Sequence, residues 1–433
     1  MSKSGVVERK LNSLAKRVAL GTLANFRGGA VELACPDKTY FCGEAGAPLQ
    51  GTVVVHDERF FRRMLSGGDV GIGEAYMDGD WSSPDLLPVV RLGLRNLARI
   101  REESRSFSTL RRWRDLLRHW LRSNTPSGSV RNIRHHYDLK NEFFRLFLDR
   151  SMAYSCAYYE TPWDSPGLAQ IHKFDRICRK LRLGPGDHLL EIGTGWGGLG
   201  MHAAARYGCR VTTTTISREQ HDYAAELFAR RGLMPGRIEL LFEDYRNLQG
   251  RYDKIVSVEM FEAVGYSHYD EYFRACDRLL DRDGAMLLQT ITVPDQHFTR
   301  YLGSCDWIQS YIFPGAELAS VGEILRSLQR VTRMSLFHAE DIGMHYARTL
   351  AAWRKRFLAA LPQVRALGFD ERFIRMWDYY FATCQASFLE RYTGDFQLLL
   401  TAKYNTRPLY GEPWTEEIFL DPAEVPRNGV CAD

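Results

Sequence analysis

The chain has 433 residues, 45% of them hydrophobic and 25% charged, with a formal net charge of +4. Those values belong to an ordinary globular protein of two or three domains and speak against a collagenous, disordered or strongly nucleic-acid-binding chain. No run approaches the ~20 apolar residues of a membrane span, and the N-terminus lacks a signal-peptide core, so a cytoplasmic location is expected.

The nine cysteines are scattered, without Cys-x-x-Cys pairs or zinc spacing, which predicts reduced thiols and no metal site.

In chain order, strands are predicted around Thr39–Phe41 and Thr52–Val55, then a helix over Asp57–Leu65 that stops at the glycine-rich Ser66–Gly73. Between Arg91 and Arg122 lie ten arginines against Glu102, Glu103 and Asp115. Trp113, Leu116, Leu117, Trp120 and Leu121 recur there at the spacing of one helix face. A basic helix with two tryptophans suits an anionic lipid surface; a surface helix packed on its own domain is the alternative. Residues 123–129, polar with a proline and a glycine, read as a linker between an accessory region over 1–122 and a larger region over 130–433.

Beyond the linker, helices and strands alternate as in a wound, mostly parallel α/β sheet. Strands are predicted at His188–Gly193, Arg210–Ile216, Ile238–Glu243, Lys254–Glu259 and Gly284–Val293, with a late one at Asp395–Lys403. The first ends in Glu191-Ile192-Gly193-Thr194-Gly195-Trp196-Gly197-Gly198, a turn whose glycines let the backbone approach a ligand at a helix start. Gly193-x-Gly195-x-x-Gly198 formally matches a dinucleotide fingerprint. The next strand, however, runs Val211 to Ile216 without the acid that would hold a ribose. A single adenosyl unit, as in S-adenosylmethionine (SAM), fits better. Ser217-x-x-Gln220 opens the following helix as a capping box, and Gly232 closes it. Ligands settle at the carboxyl ends of such strands. Gly193 to Gly195, Thr215, and the two acids of Glu259-Met260-Phe261-Glu262 are therefore the positions that matter.

Several motifs in one order, His136-Tyr137-Asp138, Tyr154-Ser155-Cys156-Ala157-Tyr158, the glycine turn, Thr215 to Gln220, Asp244-Tyr245-Arg246, Met260 to Gly265 and Tyr311 to Gly315, resemble the cyclopropane fatty acid synthases. The likeness covers nearly all of residues 130–405, and Gly71 to Trp81 is similar to the accessory domain of the longer bacterial and plant members.

The resemblance implies a SAM methyltransferase fold and transfer of a methylene group to a cis double bond of an unsaturated phospholipid acyl chain, at the inner face of the membrane. Nucleic acid is not an expected partner, and a homodimer is. It assigns Tyr137, Tyr154, Ser155, Gly193, Gly195, Thr215, Gln220, Tyr245 and Arg246 to SAM. It assigns a bound bicarbonate, the family's proton acceptor, to Cys156, Glu262, position 289 and Tyr346.

Position 289 is Gln where many members have His, and Glu259 stands where they have a small residue such as Gly. A second anion beside Glu259 suffers like-charge repulsion. The expectation is that the Glu259 carboxylate replaces bicarbonate as base; the alternative is that Glu259 turns away to bond backbone or Tyr346 while bicarbonate still binds. Cys156 is expected to position and not to react. Tyr154, Tyr158, Tyr311, Phe313 and Tyr346 are candidate aromatic walls for a carbocation. Cyclopropane is the expected product. Methyl- or methylene-branched chains, a furan precursor, a small-molecule N-methyltransferase and a lipid-binding protein without catalysis are the alternatives.

Overall fold

In the computed structural model, residues 3–97, 100, 141–234 and 236–406 are described. The linker over 123–129, Tyr137 and most of the arginine-rich stretch lie outside them.

The N-terminal region opens with a helix over Lys3–Ala24 and a four-stranded sheet in the order β2-β1-β3-β4, formed by β1 (Ala30–Ala34), β2 (Thr39–Gly43), β3 (Gln50–Val55) and β4 (Trp81–Ser82). The sequence reading missed β1. The glycine-rich stretch is also helical, as the second half of a helix over Arg59–Met77 broken at Gly68, which takes φ 56° and ψ −133°. Glycine is tolerated there because the helix presses on a neighbour. A Cβ on Gly73 would lie 2.3 Å from Trp307 Cδ1.

Packing joins this region to the rest of the chain. One buried cluster runs from Phe61, Tyr76 and Trp81 through Trp307 to Trp353 and Trp377. Tyr76 donates to Asp378 at 2.8 Å. Arg91 and Arg95, on the helix Leu86–Arg95, pair with Glu390 at 2.5 and 2.8 Å, so these two cations of the basic stretch face protein.

The larger region is built on a seven-stranded sheet in the order β10-β11-β9-β8-β5-β6-β7. Its strands are β5 (His188–Ile192), β6 (Arg210–Thr215), β7 (Ile238–Phe242), β8 (Tyr252–Val258), β9 (Leu280–Thr292), β10 (Ser335–Asp341) and β11 (Gly394–Thr401). Strands β5 to β9 pair in parallel, and β11 pairs antiparallel with both β9 and β10. Leu189, Leu190, Ile255, Val256 and the Ala285–Leu288 run are almost wholly buried, as strands covered by helices on both faces must be. The sequence reading missed β10, an edge strand whose residues are mostly exposed or half-exposed and show no apolar run. Strand order reverses between β5 and β8, and a crevice opens at such a switch point beyond the carboxyl ends.

Candidate active site

That crevice holds a cavity of about 210 Å³. The turns after β5, β6, β7 and β8 line it, each contributing residues that the chain carries side by side. Gly193 and Gly195 take φ 103° and 52°, and a Cβ on Gly195 would meet nothing within 4 Å, so this backbone faces open space. Thr215 donates to Gln220 Oε1 at 3.0 Å. Ser217 Oγ accepts from the Gln220 amide as helix cap, but the reciprocal half of the expected capping box is absent because the Gln220 side chain faces Thr215. Arg246 folds back on Asp244 at 2.7 Å, and Tyr245 packs edge-on against Tyr272.

Of the residues assigned to SAM, Tyr154, Ser155, Gly193, Gly195, Thr215, Gln220, Tyr245 and Arg246 all line the cavity. Trp196 and Lys173 line it too and were missed; Trp196 stands inside the glycine motif, whereas Lys173 carries no local signal. The acids Glu243, Asp244 and Glu259 ring the same space, which suits a cationic ligand such as a sulfonium; Glu191 lines it as well but is largely neutral at pH 7. Burial pushes Glu191 up to about 8.

Glu259 follows β8 in the left-handed region, at φ 48°. Such a conformation costs of order 1–3 kcal/mol for a residue with a side chain and persists only where surroundings impose it. Here they do. Its amide donates to the Gln289 carbonyl at 2.8 Å, and its carboxylate collects three donors. Oε1 accepts from the Cys156 amide and from Gln289 Nε2, both at 2.8 Å. Oε2 accepts from the Tyr346 hydroxyl at 2.7 Å. Three of the four positions that the resemblance gives to bicarbonate thus hold the Glu259 carboxylate, which also lines the cavity. The bonds to backbone and to Tyr346 that were weighed as a sign of Glu259 turning away are present, yet they fix it in place at the crevice.

Glu262 departs from the expected set. Its Oε1 accepts from the Ile291 amide at 2.6 Å and from Thr290 Oγ1 at 3.0 Å, turned toward β9, and its Oε2 is buried without a hydrogen-bond partner. Burial, then the charge of Glu259, pushes Glu262 up to about 7. Cys156 is fully buried; burial and then the nearby Asp395 and Glu259 raise its thiol well above the usual range, so its backbone N–H does the work.

The aromatic candidates divide. Tyr154 lines the cavity and lies 5.2 Å from Trp353, tilted by 35°, and 6.3 Å from Phe313. Tyr346, on the helix Gly343–Ala359, lies 4.6 Å from Phe388 and 6.0 Å from Trp353. Tyr158 and Tyr311 do not join them. Tyr158 stacks on His345 at 4.3 Å, under the Arg176 guanidinium, and Tyr311 donates to Glu74 in the N-terminal region at 2.6 Å. Trp353, Phe388 and Tyr380 pack against or bond to Tyr154 and Tyr346 instead; sequence could not single them out because helical aromatics look alike whether they face core or site.

The family model described as mycolic acid cyclopropane synthetase matches residues 124–398. The chain belongs to that family. It is 38% identical over 381 residues to the cyclopropane-fatty-acyl-phospholipid synthase of Escherichia coli strain K12, covering 85% of this chain and 94% of that protein. Likeness to the tuberculostearic acid methyltransferase of Mycobacterium tuberculosis is 36% over 375 residues, 82% of this chain and 84% of the other. Among solved structures, a mycolic acid cyclopropane synthase in complex with S-adenosylhomocysteine and a quaternary ammonium detergent superposes with a TM-score of 0.58, at 32% identity, over 63% of this chain and 98% of that one. This family member is a SAM-dependent methyltransferase of the α/β class, and its relatives include enzymes named for modifying fatty acyl chains.

Proposed function

We propose that the enzyme transfers a one-carbon unit from SAM to the cis double bond of an unsaturated acyl chain in a membrane phospholipid, with Glu259 as proton acceptor and a cyclopropane ring as product. What carries this reading is the clamped Glu259 carboxylate at the edge of the cavity.

Bound SAM would supply an electrophilic methyl group: the alkene π pair would form the new C–C bond as the S–CH₃ bond breaks, leaving neutral S-adenosylhomocysteine and a carbocation on the acyl chain. The residues' work is to hold, shield and deprotonate. Tyr154 and Tyr346 offer π faces that attract a cation without trapping it. Glu259, oriented by three donors, takes a proton from the new methyl group as its C–H electron pair closes the ring. A carboxylate is base enough, because a proton beside a carbocation is highly acidic. The acceptor occupies donors that the resemblance gives to bicarbonate, the group to which the family assigns the same proton removal.

No helix among the described residues is long and apolar enough to cross a membrane. Access to a bilayer from its surface is supported by Trp163, 92% exposed, with Leu168 and Ile171 also exposed a few residues on in the chain.

A second reading has its own support. One relative is named as a tuberculostearic acid methyltransferase, and in this reading a hydride shift before deprotonation gives a methylene-branched chain, which becomes a saturated methyl branch only with an added two-electron hydride donor.

The test is lipid mass spectrometry after incubating the enzyme with SAM labelled at its methyl group and vesicles of unsaturated phospholipid. One labelled CH₂ per modified chain, resistant to hydrogenation conditions that reduce alkenes, is expected. No label in the acyl chains overturns the function. Strict dependence on added bicarbonate overturns the role of Glu259.

A further inference from the structure

Gln289 does not exchange protons; what it offers is direction. Its Nε2 donates to Glu259 Oε1 at 2.8 Å and to Asp395 Oδ2 at 3.1 Å, so both amide hydrogens meet carboxyl groups. Its Oε1 faces the other way and accepts from Gln397 Nε2 at 3.0 Å. Gln397 Oε1 accepts from Lys180 Nζ at 2.8 Å, and Lys180 also pairs with Glu340 at 2.6 Å. An amide turned over by half a rotation keeps its shape, whereas an ammonium only donates. The ammonium therefore selects which end of Gln397 it meets, and Gln397 selects the end of Gln289. Lys180, Gln289 and Gln397 all have 0% exposure, so bulk water does not stand in for any of these partners.

We propose that Lys180 and Gln397 are positioning residues for the reaction: they orient the Gln289 amide so that its two hydrogens clamp Glu259 and Asp395 as a pair. This rests on the reading of Glu259 as proton acceptor.

Two carboxyls that share one amide in a buried site do not both ionise readily. Asp395, fully buried and with no hydrogen-bond partner on Oδ1, is the member held neutral, because an unpartnered oxygen costs less on an acid than on an anion. Burial first, and then Glu259 and Glu262, raise its proton affinity. Glu259 keeps the charge through its three donors. The other ionisable groups facing it are Lys173 from the helix Pro166–Lys180, Glu262 from the turn after β8, the Cys156 thiol, Tyr346, and Tyr380 from the helix Glu371–Leu389. Of these, only Lys173 favours the carboxylate by its charge.

Gln397→Glu is the decisive variant. It is isosteric and keeps an ionic partner for Lys180, but has no hydrogen for Gln289 Oε1. Gln289 must then turn and offer Glu259 a carbonyl oxygen, which favours the protonated acid. At least a tenfold fall in kcat is expected, with KM for SAM unchanged and the acid limb of the pH–rate profile moved to higher pH. Lys180→Met should move the limb the same way by less, and Lys180→Arg should restore it. Independently of turnover, infrared difference spectra at neutral pH should show, beside the neutral carboxyls of Glu191 and Glu262, a further neutral-carboxyl band that is lost in Asp395→Asn. A wild-type kcat and acid limb in Gln397→Glu, or no such band, overturns the proposal. The two readings separate through Glu259→Gln: wild-type turnover there defeats Glu259 as acceptor, whereas an inactive Glu259→Gln beside an unaltered Gln397→Glu defeats the positioning relay alone.

Discussion

The two halves of the site are assembled in opposite ways. The proposed cofactor half comes from short contiguous turns, Gly193 to Trp196, Thr215 to Gln220 and Asp244 to Arg246, each ending one strand. The proposed base half draws Cys156, Glu259, Gln289, Tyr346 and Asp395 from five separate segments into one hydrogen-bonded cluster. Backbone geometry makes the first; side-chain hydrogen bonds across the fold make the second. Damage to the first should therefore appear in cofactor binding and stability, and damage to the second in turnover and its pH dependence.

Glu259→Gln gives the largest contrast. Loss of a positioned proton acceptor should lower product formation by about 10²–10⁴-fold, while calorimetry finds SAM affinity within a few-fold of wild type. A parallel collapse of SAM binding would erase the distinction between the halves.

Tyr346→Phe removes one donor of three. A hydrogen bond to a charged group is worth about 1.5–3 kcal/mol, so kcat should drop by roughly ten- to a hundredfold on the same scale of 1.4 kcal/mol per decade. Burial already raises the proton affinity of Glu259, and losing a donor to the charged form raises it further. The acid limb should move to higher pH; a limb that stays put would remove Tyr346 from the base half.

Gly193→Ala probes the other side. At φ 103°, with its Cβ 3.2 Å from Met260, alanine should lower stability by about 1–3 kcal/mol. Thermal denaturation measures that loss, and the pH–rate limb should not move.

Glu191→Gln is the smallest effect. Glu191 is raised to about 8 in the folded protein from an ordinary 4.5. The folded state thus holds a proton that the unfolded chain releases first, so this group's contribution is intact below about pH 4.5 and is lost as pH rises through about 8. The amide introduced by Glu191→Gln keeps an acceptor for Thr213 and does not titrate, so the variant should lose part of the decline in melting temperature between those limits.

Much of this organisation is written in contiguous residues. Strands β5 to β9 and β11 lie within a few residues of their predicted ends; β5, β8 and β9 follow largely apolar runs because a covered parallel strand must be apolar along its length, whereas β6 is a β-branched Val-Thr run whose buried hydroxyls are bonded. The glycine turn declared its ligand class by the same locality. β10 escaped because an edge strand can be polar, and the helix across Ser66–Gly73 escaped because its last glycine, Gly73, serves contact with Trp307, more than two hundred residues away.

The acid pair at Glu259 and Glu262, the glutamine at 289 and the glycine turn of Gly193 to Gly198 were determined by sequence alone, since residue type and spacing state them outright. Tertiary structure decided that Glu259 takes the donors while Glu262 turns to β9, that Tyr158 and Tyr311 serve other neighbours, and that Gln289 points its hydrogens at two carboxyls. Those outcomes depend on which polar atoms meet in a dry interior. Only the folded chain brings them within hydrogen-bonding distance.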